Sequence, residues 1–322
     1  METTRTLAAP PPLGPALLRG ALASPLKRRV REGAALPQTR LVVPAAAVDA
    51  GRLAAYARVC GFSESGALPL TYPHVLGFPL AMRLMAGRAF PLPLLGLVHT
   101  YIEITRHRPL LPTDAPTLCV YAAGLTPHRR GTEVTMVTEA RLGGEGGEGG
   151  EGGELVWESR SRYLHRHARP DDVRTITPSP SPLPSPSPEA TAGTTTAQAR
   201  WPLPADLGRR YAAASGDRNP IHLYALTARA FGFRRAVAHG MWTFARCLAE
   251  QPHPGGIRYA EAEFRAPVLL PGTVEYAVGE GADESNEGNG SDEGDGGVFE
   301  LRDPRNGRVH LIGRTATTAR PA

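Results

Sequence analysis

The feature that most constrains this chain of 322 residues is that it repeats itself. LGFPLAMRLMA, beginning at Leu76, matches HGMWTFARCLA, beginning at His239, so that Gly77 falls on Gly240, Arg83 on Arg246 and Ala86 on Ala249. Further on, GLVHTYIEITRHRPLLPTD from Gly96 matches GIRYAEAEFRAPVLLPGT from Gly256. This sets Glu103 on Glu263 and, after one gap, Leu111-Pro112 on Leu270-Pro271. The offset is 163 residues at the first block and 160 at the second. An apolar pattern can match by chance, but two blocks in the same order at nearly one offset indicate a diverged tandem duplication. Each copy then has to fold to the same plan.

Within each copy a helix-like apolar block precedes strand-like segments. Period-2 alternation and β-branched content mark strands at about 97–106, 116–124, 132–141 and 155–164 in the first copy. In the second copy they fall at about 257–266, 273–279, 298–303 and 308–317, and DPRNG at 303–307 supplies hairpin-turn chemistry. One buried helix followed by several antiparallel strands places the chain in the α+β class, with a sheet wrapped around a helix. PSPSPLPSPSPEATAGTTTAQA at 178–199 reads as an extended Pro/Ser linker between the copies. The expected organisation is an N-terminal extension (1–40), a first domain (41–170), a linker (171–199) and a second domain (200–322).

Composition narrows the function classes. The 36 Gly and 32 Pro are a fifth of the chain, but they are clustered and not spaced by threes, which excludes a collagen-like protein. With 41% apolar residues a substantial core is available, and no apolar run reaches the roughly 18 residues of a membrane span. The formal charge of +5 hides uneven placement. Acidic Gly-rich runs at 143–154 and 279–297 hold 11 acidic residues and no Lys or Arg, leaving +16 on the remainder. Both runs read as solvated loops, and GNGSD in the second is a single, unrepeated fragment of calcium-binding type. A basic remainder can attract nucleic acid, membrane surfaces or phosphorylated small molecules. Every basic residue except Lys27 is Arg, however, which GC-rich codon usage alone would produce. KRRVR at 27–31 has no aromatic-rich nucleic-acid motif beside it, so nucleic acid is not the expected partner. Cys60, Cys119 and Cys247 form no CxxC pair, which points to a reducing cytoplasm and away from a disulfide scaffold. Pro10, Pro11, Pro12 and Pro15 interrupt any signal-type apolar region.

The most informative stretch is SGDRNPIHLYALTARAFGF, Ser215 to Phe233. Asn219 is a good N-cap and Pro220 suits the first helical position. The expected helix runs through Phe231 and stops at Gly232. His222 then lies in the first turn and Asp217 on the loop just before the cap, so two titratable groups converge at one helix start. A generic Asp-x4-His pair would more often be a cap and a surface residue. The surrounding string and AVAHGMWTFARCLAE from Ala236, whose Gly240 opens an apolar helix, argue for chemistry. Helix starts present unpaired N–H groups suited to a developing oxyanion. An acid–base pair beside such a site is what addition of water to a conjugated thioester requires.

Segment 215–241 resembles the MaoC-like family of (R)-specific enoyl-thioester hydratases and 3-hydroxyacyl-thioester dehydratases, which have the hot-dog fold. The matching residues are Ser215-Gly216-Asp217, Asn219-Pro220-Ile221-His222, Ala230, Gly232-Phe233 and Ala238-His239-Gly240-Met241. LPLTYPHVLGFPLAMRLM (68–85) and FPLPLLGLVH (90–99) are similar to the non-catalytic leading repeat of double-hot-dog members. The resemblance implies a tandem hot-dog fold and a hydro-lyase of fatty acid metabolism. Its substrates would be acyl-CoA or acyl-carrier-protein thioesters, with neither cofactor nor metal. It implies that Asp217 and His222 activate the water and that the Gly240 N–H polarises the thioester carbonyl. Ser215 and Asn219 are expected beside the substrate, chiefly shaping the loop, and His239 is expected to line the pocket. The two copies would form a pseudo-dimer within one chain, with a homodimer of such chains left open.

The first copy departs from the pattern. FSESGALPLTYPH around 62–74 has no Asp-x4-His, so one active site per chain is expected. Tyr72, Phe78, Phe90 and Leu95 could wall an acyl channel or belong to the ordinary core. His165 and His167 in RSRYLHRHAR have no nearby Cys or carboxylate pattern to complete a metal site. The competing reading is a partner subunit that binds acyl thioesters without turnover.

Overall fold

The computed structural model of the protein describes residues 3–14, 20, 24–27, 34–63, 66–143, 152–167, 195–279 and 296–318. Most of the low-complexity runs, and KRRVR beyond Lys27, lie outside the described residues. The first copy contributes β1 (Thr3–Thr6), β2 (Thr39–Val43), α1 (Ala50–Cys60), α2 (Tyr72–Met85), β3 (Leu97–Arg106), β4 (Thr117–His128), β5 (Gly131–Leu142) and β6 (Glu154–Arg166). The second contributes β7 (Thr195–Leu203), α3 (Leu207–Ser215), α4 (Pro220–Leu223), α5 (Ala225–Arg229), β8 (Ala236–Val237) and α6 (Gly240–Ala249). It continues with β9 (Tyr259–Phe264), β10 (Leu269–Leu270), β11 (Gly272–Gly279), β12 (Val298–Arg302) and β13 (Val309–Ala316).

Among the described residues eleven strands form one sheet in the order β1-β2-β4-β5-β6-β3-β9-β13-β12-β11-β7. The duplication is written into that order. From the central β3–β9 seam outward, β6, β5, β4 and β2 on one side correspond to β13, β12, β11 and β7 on the other. Every ladder is antiparallel except β1–β2 at the edge. The seam itself pairs Tyr101 with Glu263, Glu103 with Glu261 and Thr105 with Tyr259. Each copy lays one apolar helix on this sheet. α2 buries Leu80, Ala81, Leu84 and Met85, and α6 buries Trp242, Phe244, Ala245, Cys247 and Leu248. Tyr72 and Phe90 are fully packed core residues, at 2% and 0% exposure. The two helices and the sheet around them make the tandem hot-dog architecture.

The strands fall where the alternation places them, within a few residues. The hairpin at DPRNG closes with Gly307 at φ 69° and with the Gly307 N–H donating to the Asp303 carbonyl at 2.9 Å. Three expectations are corrected. Thr195–Ala199, read as linker, belongs to β7, because this copy needs the strand that β2 provides in the other. Its register on β11 pairs Thr196 with Val278 and Ala199 with Tyr276. Likewise the boundary drawn after residue 40 cuts β2. The helix expected from Pro220 to Phe231 is broken at Tyr224, which is extended at φ −143°, ψ 149°. Thr227 Oγ1 donates to the Pro220 carbonyl at 2.6 Å, taking the acceptor that a continuous helix would offer to the Tyr224 N–H. Gly232, at φ 83°, follows the second short helix as the left-handed residue expected there.

Candidate active site

The site is assembled by the path of the chain from α3 through α4 to the start of α6. α3 ends at Gly216, whose φ of 83° is accessible to glycine at little cost. The turn is held by Ser215 Oγ, which lies 2.9 Å from the Tyr211 carbonyl and accepts the Asp217 N–H at 3.2 Å. Asp217 Oδ1 accepts the Asn219 N–H at 3.1 Å, and the Asn219 side chain caps α4 by accepting from the Ile221 N–H. Gly208 on α3 packs directly on α4. A Cβ there would fall 2.0 Å from the His222 carbonyl oxygen, so this glycine permits the approach that sets His222 in place.

The orientation of His222 follows from one contact. Its Nδ1 is 2.7 Å from the Val237 carbonyl, and a carbonyl only accepts, so Nδ1 carries the proton and Nε2 is left for the site. His239, 2% exposed, is fixed the same way by Nε2, 3.0 Å from the Asp217 carbonyl, and 3.9 Å from its carboxylate. Its Nδ1 is buried without a hydrogen-bond partner. The His222 and His239 rings stack at 3.7 Å, and Tyr211 packs against His239 at 4.7 Å. One donor atom from each of Asp217, His222 and His239 lies within 4.8 Å of the others. That spacing could hold a water or a cation; no other such group of His, Cys, Asp or Glu occurs among the described residues.

Burial acts on both members of the acid–base pair. It raises the Asp217 carboxyl above its ordinary value, while the attraction of His222 and the Asn219 N–H pull partly the other way. It lowers the His222 imidazole, against the opposing attraction of Asp217 and the Val237 carbonyl. His239 is pushed well below its ordinary range, first by burial and then by His222. Both Asp217 and His222 are thus driven toward their uncharged forms. Gly240 is the first residue of α6, so its N–H has no acceptor within the helix. An ideal Cβ at this position would approach the Phe264 ring to 3.1 Å.

Ser215, Asp217, Asn219, His222, His239 and Gly240 all lie along this one path, as the sequence order required. The other sequence candidates go elsewhere. His167 Nε2 bonds the Thr132 hydroxyl at 2.9 Å, beside the His165 ring at 5.4 Å, and Lys27 Nζ donates to the Gly87 carbonyl. Sequence reasoning missed the polar side chains that the first copy brings to the same place, Tyr163 and His99. The His99 ring lies 4.9 Å from Phe264, the residue that packs on Gly240. No local motif marks them.

A duplicated helix-in-sheet unit with a half-buried Asp beside a buried His at a helix start defines a double-hot-dog protein of the kind that works on thioesters. The comparisons with known proteins agree. Residues 185–293 match the family described as MaoC like domain. The chain is 35% identical over 248 residues to 3-hydroxyacyl-thioester dehydratase X of Mycobacterium tuberculosis, covering 76% of this chain and 82% of that protein. The crystal structure of HtdX from the same organism superposes with a TM-score of 0.65 at 32% identity, covering 86% of this chain and 98% of the other. A MaoC-like dehydratase from Phytophthora capsici shares the fold, at a TM-score of 0.57 and 16% identity over 88% of this chain and 95% of its own. The chain belongs to the MaoC-like dehydratase family.

Proposed function

We propose that the protein interconverts (3R)-3-hydroxyacyl and trans-2-enoyl thioesters by loss or addition of water, as a cofactor-independent hydro-lyase of fatty acid metabolism. The observation that carries this reading is the Asp217–His222 pair, held by backbone contacts beside the open start of α6. In dehydration, His222 Nε2 takes the proton from Cα, and the protonated Asp217 carboxyl gives its proton to the departing 3-hydroxyl. The C–O bond breaks, the Cα–Cβ double bond forms and water leaves. Hydration runs the same transfers backward, from a carboxylate and an imidazolium. The pair carries one proton in either direction, and burial favours the uncharged arrangement that begins dehydration.

The Gly240 N–H would donate to the thioester oxygen as enolate charge builds on it. His239 would brace His222 through the stacked rings, while Ser215 and Asn219 hold the loop that presents Asp217 to the substrate. The carrier would be the phosphorylated pantetheine of CoA or an acyl carrier protein. Three buried free thiols, Cys60, Cys119 and Cys247, are in keeping with a reducing cytoplasm. Among the described residues no helix is long and apolar enough to cross a membrane. A homodimer of the two-copy chain is compatible with this reading. The test is the absorbance of a trans-2-enoyl thioester followed with wild type, Asp217→Asn and His222→Gln, with product configuration determined. Turnover surviving both substitutions would overturn the mechanism, and saturable binding without turnover in wild type would favour a binding subunit.

A further inference from the structure

The first copy has lost the acid–base pair, yet its β3–β6 ladder carries an irregularity beside the second copy's site. Ile104 faces Ser159 and Ile102 faces Ser161, which on a regular ladder would set Thr100 opposite Tyr163. Instead the register shifts and His99 stands opposite Tyr163. A bulge of this kind inserts one residue and re-aims a side chain. Ile102 and Ile104 point into the interior at 0% exposure, and the shift turns His99 onto that same face. Thr100 is left on the outer side, where its Oγ1 lies 2.7 Å from Glu133 Oε1 and 3.1 Å from the Arg162 carbonyl. Those contacts hold the irregularity in place. The corresponding strand of the second copy, β9, pairs with β13 without any shift.

The turned-in imidazole occupies a defined place. It stacks on Tyr163 at 4.5 Å and 15°, and meets Phe264 at 4.9 Å. Phe264 in turn packs on Gly240. Asp217 is close enough to Tyr163 to push its phenol up, after burial itself. The His99–Tyr163 pair therefore reaches from the surroundings of Asp217 to the surroundings of Gly240, the two ends between which a thioester would lie. His99 Nε2 is buried with no hydrogen-bond partner. Buried polar atoms without partners are uncommon, and each calls for an explanation. Burial pushes the imidazole down to about 3, so the ring is neutral, and a backbone hydrogen bond at Tyr101 engages it on its other side. Nε2 is then an acceptor.

We propose that His99 is a substrate-binding residue supplied by the first copy, accepting a hydrogen bond at Nε2 from the oxygen that is lost from or added to Cβ, with Tyr163 as the positioning residue beneath it. This rests on the dehydratase reading above and adds that the copy without the acid–base pair completes the site. Gln can place a polar atom where Nε2 stands, whereas Asn reaches only as far as Nδ1 and Phe keeps the ring without either nitrogen. His99→Phe and His99→Asn should lower kcat/KM about 10- to 100-fold, the scale of one buried hydrogen bond to a reacting group, and His99→Gln should stay within about 5-fold of wild type. The second arm is binding in the Asp217→Asn background, with a 3-hydroxyacyl-CoA and the saturated acyl-CoA of equal length as probes. His99 should give a preference for the hydroxyacyl ligand that His99→Asn abolishes and His99→Gln retains. Equal activity and equal preference in His99→Asn and His99→Gln would overturn the proposal. Wild type that binds with this preference but does not turn over would sink the dehydratase reading and leave the His99 contact standing.

Discussion

The two central helices align in sequence at Gly77 and Gly240, yet the structure gives those glycines different jobs. α6 begins at Gly240, so that N–H points out of the helix without a partner. α2 begins at Tyr72 and runs one turn further at the same end, so Gly77 lies inside the helix with its N–H bonded to the preceding turn. The extra turn fills the place with Tyr72, Pro73 and His74, all buried, and His74 Nδ1 sits 3.3 Å from Ser159 Oγ. Gly77 is small because Thr138 presses on it: a Cβ there would lie 2.5 Å from the Thr138 methyl. Both glycines are closely packed, Gly77 by Thr138 and Gly240 by Phe264, but only Gly240 also opens its helix. The two copies differ here by one helical turn and one Asp–His pair, and on the proposed mechanism that difference decides which copy works.

The largest test of this contrast is the pair itself. Asp217→Asn or His222→Gln should lower the rate of enoyl-thioester turnover by about 10²–10⁴-fold, the usual contribution of a positioned acid or base. Next comes acid stability, to which both copies contribute, since burial also pushes down His222, His239 and His310 in the second. Burial holds His74 at about 4 and His99 at about 3, against 6.5 in an unfolded chain. Between those limits the unfolded chain takes up protons that the folded one refuses, so stability falls as pH falls below about 6.5. Each group contributes about 1.4 kcal/mol per pH unit until its folded value is reached. Denaturant melts at several pH values should show this slope, and His99→Gln should remove one group's share. A slope that is unchanged in that variant would place the acid sensitivity elsewhere.

The two glycines give the sharpest comparison at smaller scale. Gly77→Ala should destabilise the fold by about 1–3 kcal/mol through overpacking on Thr138, with kcat/KM per folded molecule unchanged. Gly240→Ala should act the other way, shifting Phe264 and lowering kcat/KM about 10-fold with little change in Tm. If both variants lose stability alone, the open helix start has no special role. The smallest expected effect is from chelation. On the proposed mechanism Asp217 and His222 supply the acid and the base by themselves, so EDTA should leave the rate unchanged, although Asp217, His222 and His239 are close enough to hold a cation. A rate abolished by EDTA and restored by one divalent metal would show that the cluster holds an ion in the working enzyme.

Much of the fold was legible because its signals are local. β3 was expected at 97–106 and runs from Leu97 to Arg106, since alternation along one strand reports which face is buried. The helix start at Gly240 and the cap at Asn219 could be read from a few neighbouring residues. β7 escaped notice because Thr195–Ala199 carries no alternation of its own and becomes a strand only by pairing with β11. The break at Tyr224 was missed for a similar reason: propensity favours a continuous helix, while the Thr227 hydroxyl and the packing of α3 on α4 decide against it.

By itself, the sequence determined that the chain is a duplication, that each copy pairs a helix with antiparallel strands, and that Asp217, His222 and Gly240 belong to one segment. Only the tertiary structure decided that His239 stacks on His222 and that a bulge aims His99 toward the site from more than a hundred residues away. Spacing along a chain encodes the contacts of one element with itself and its neighbours. Contacts across the seam between two copies depend on register and packing, which no short stretch of sequence carries.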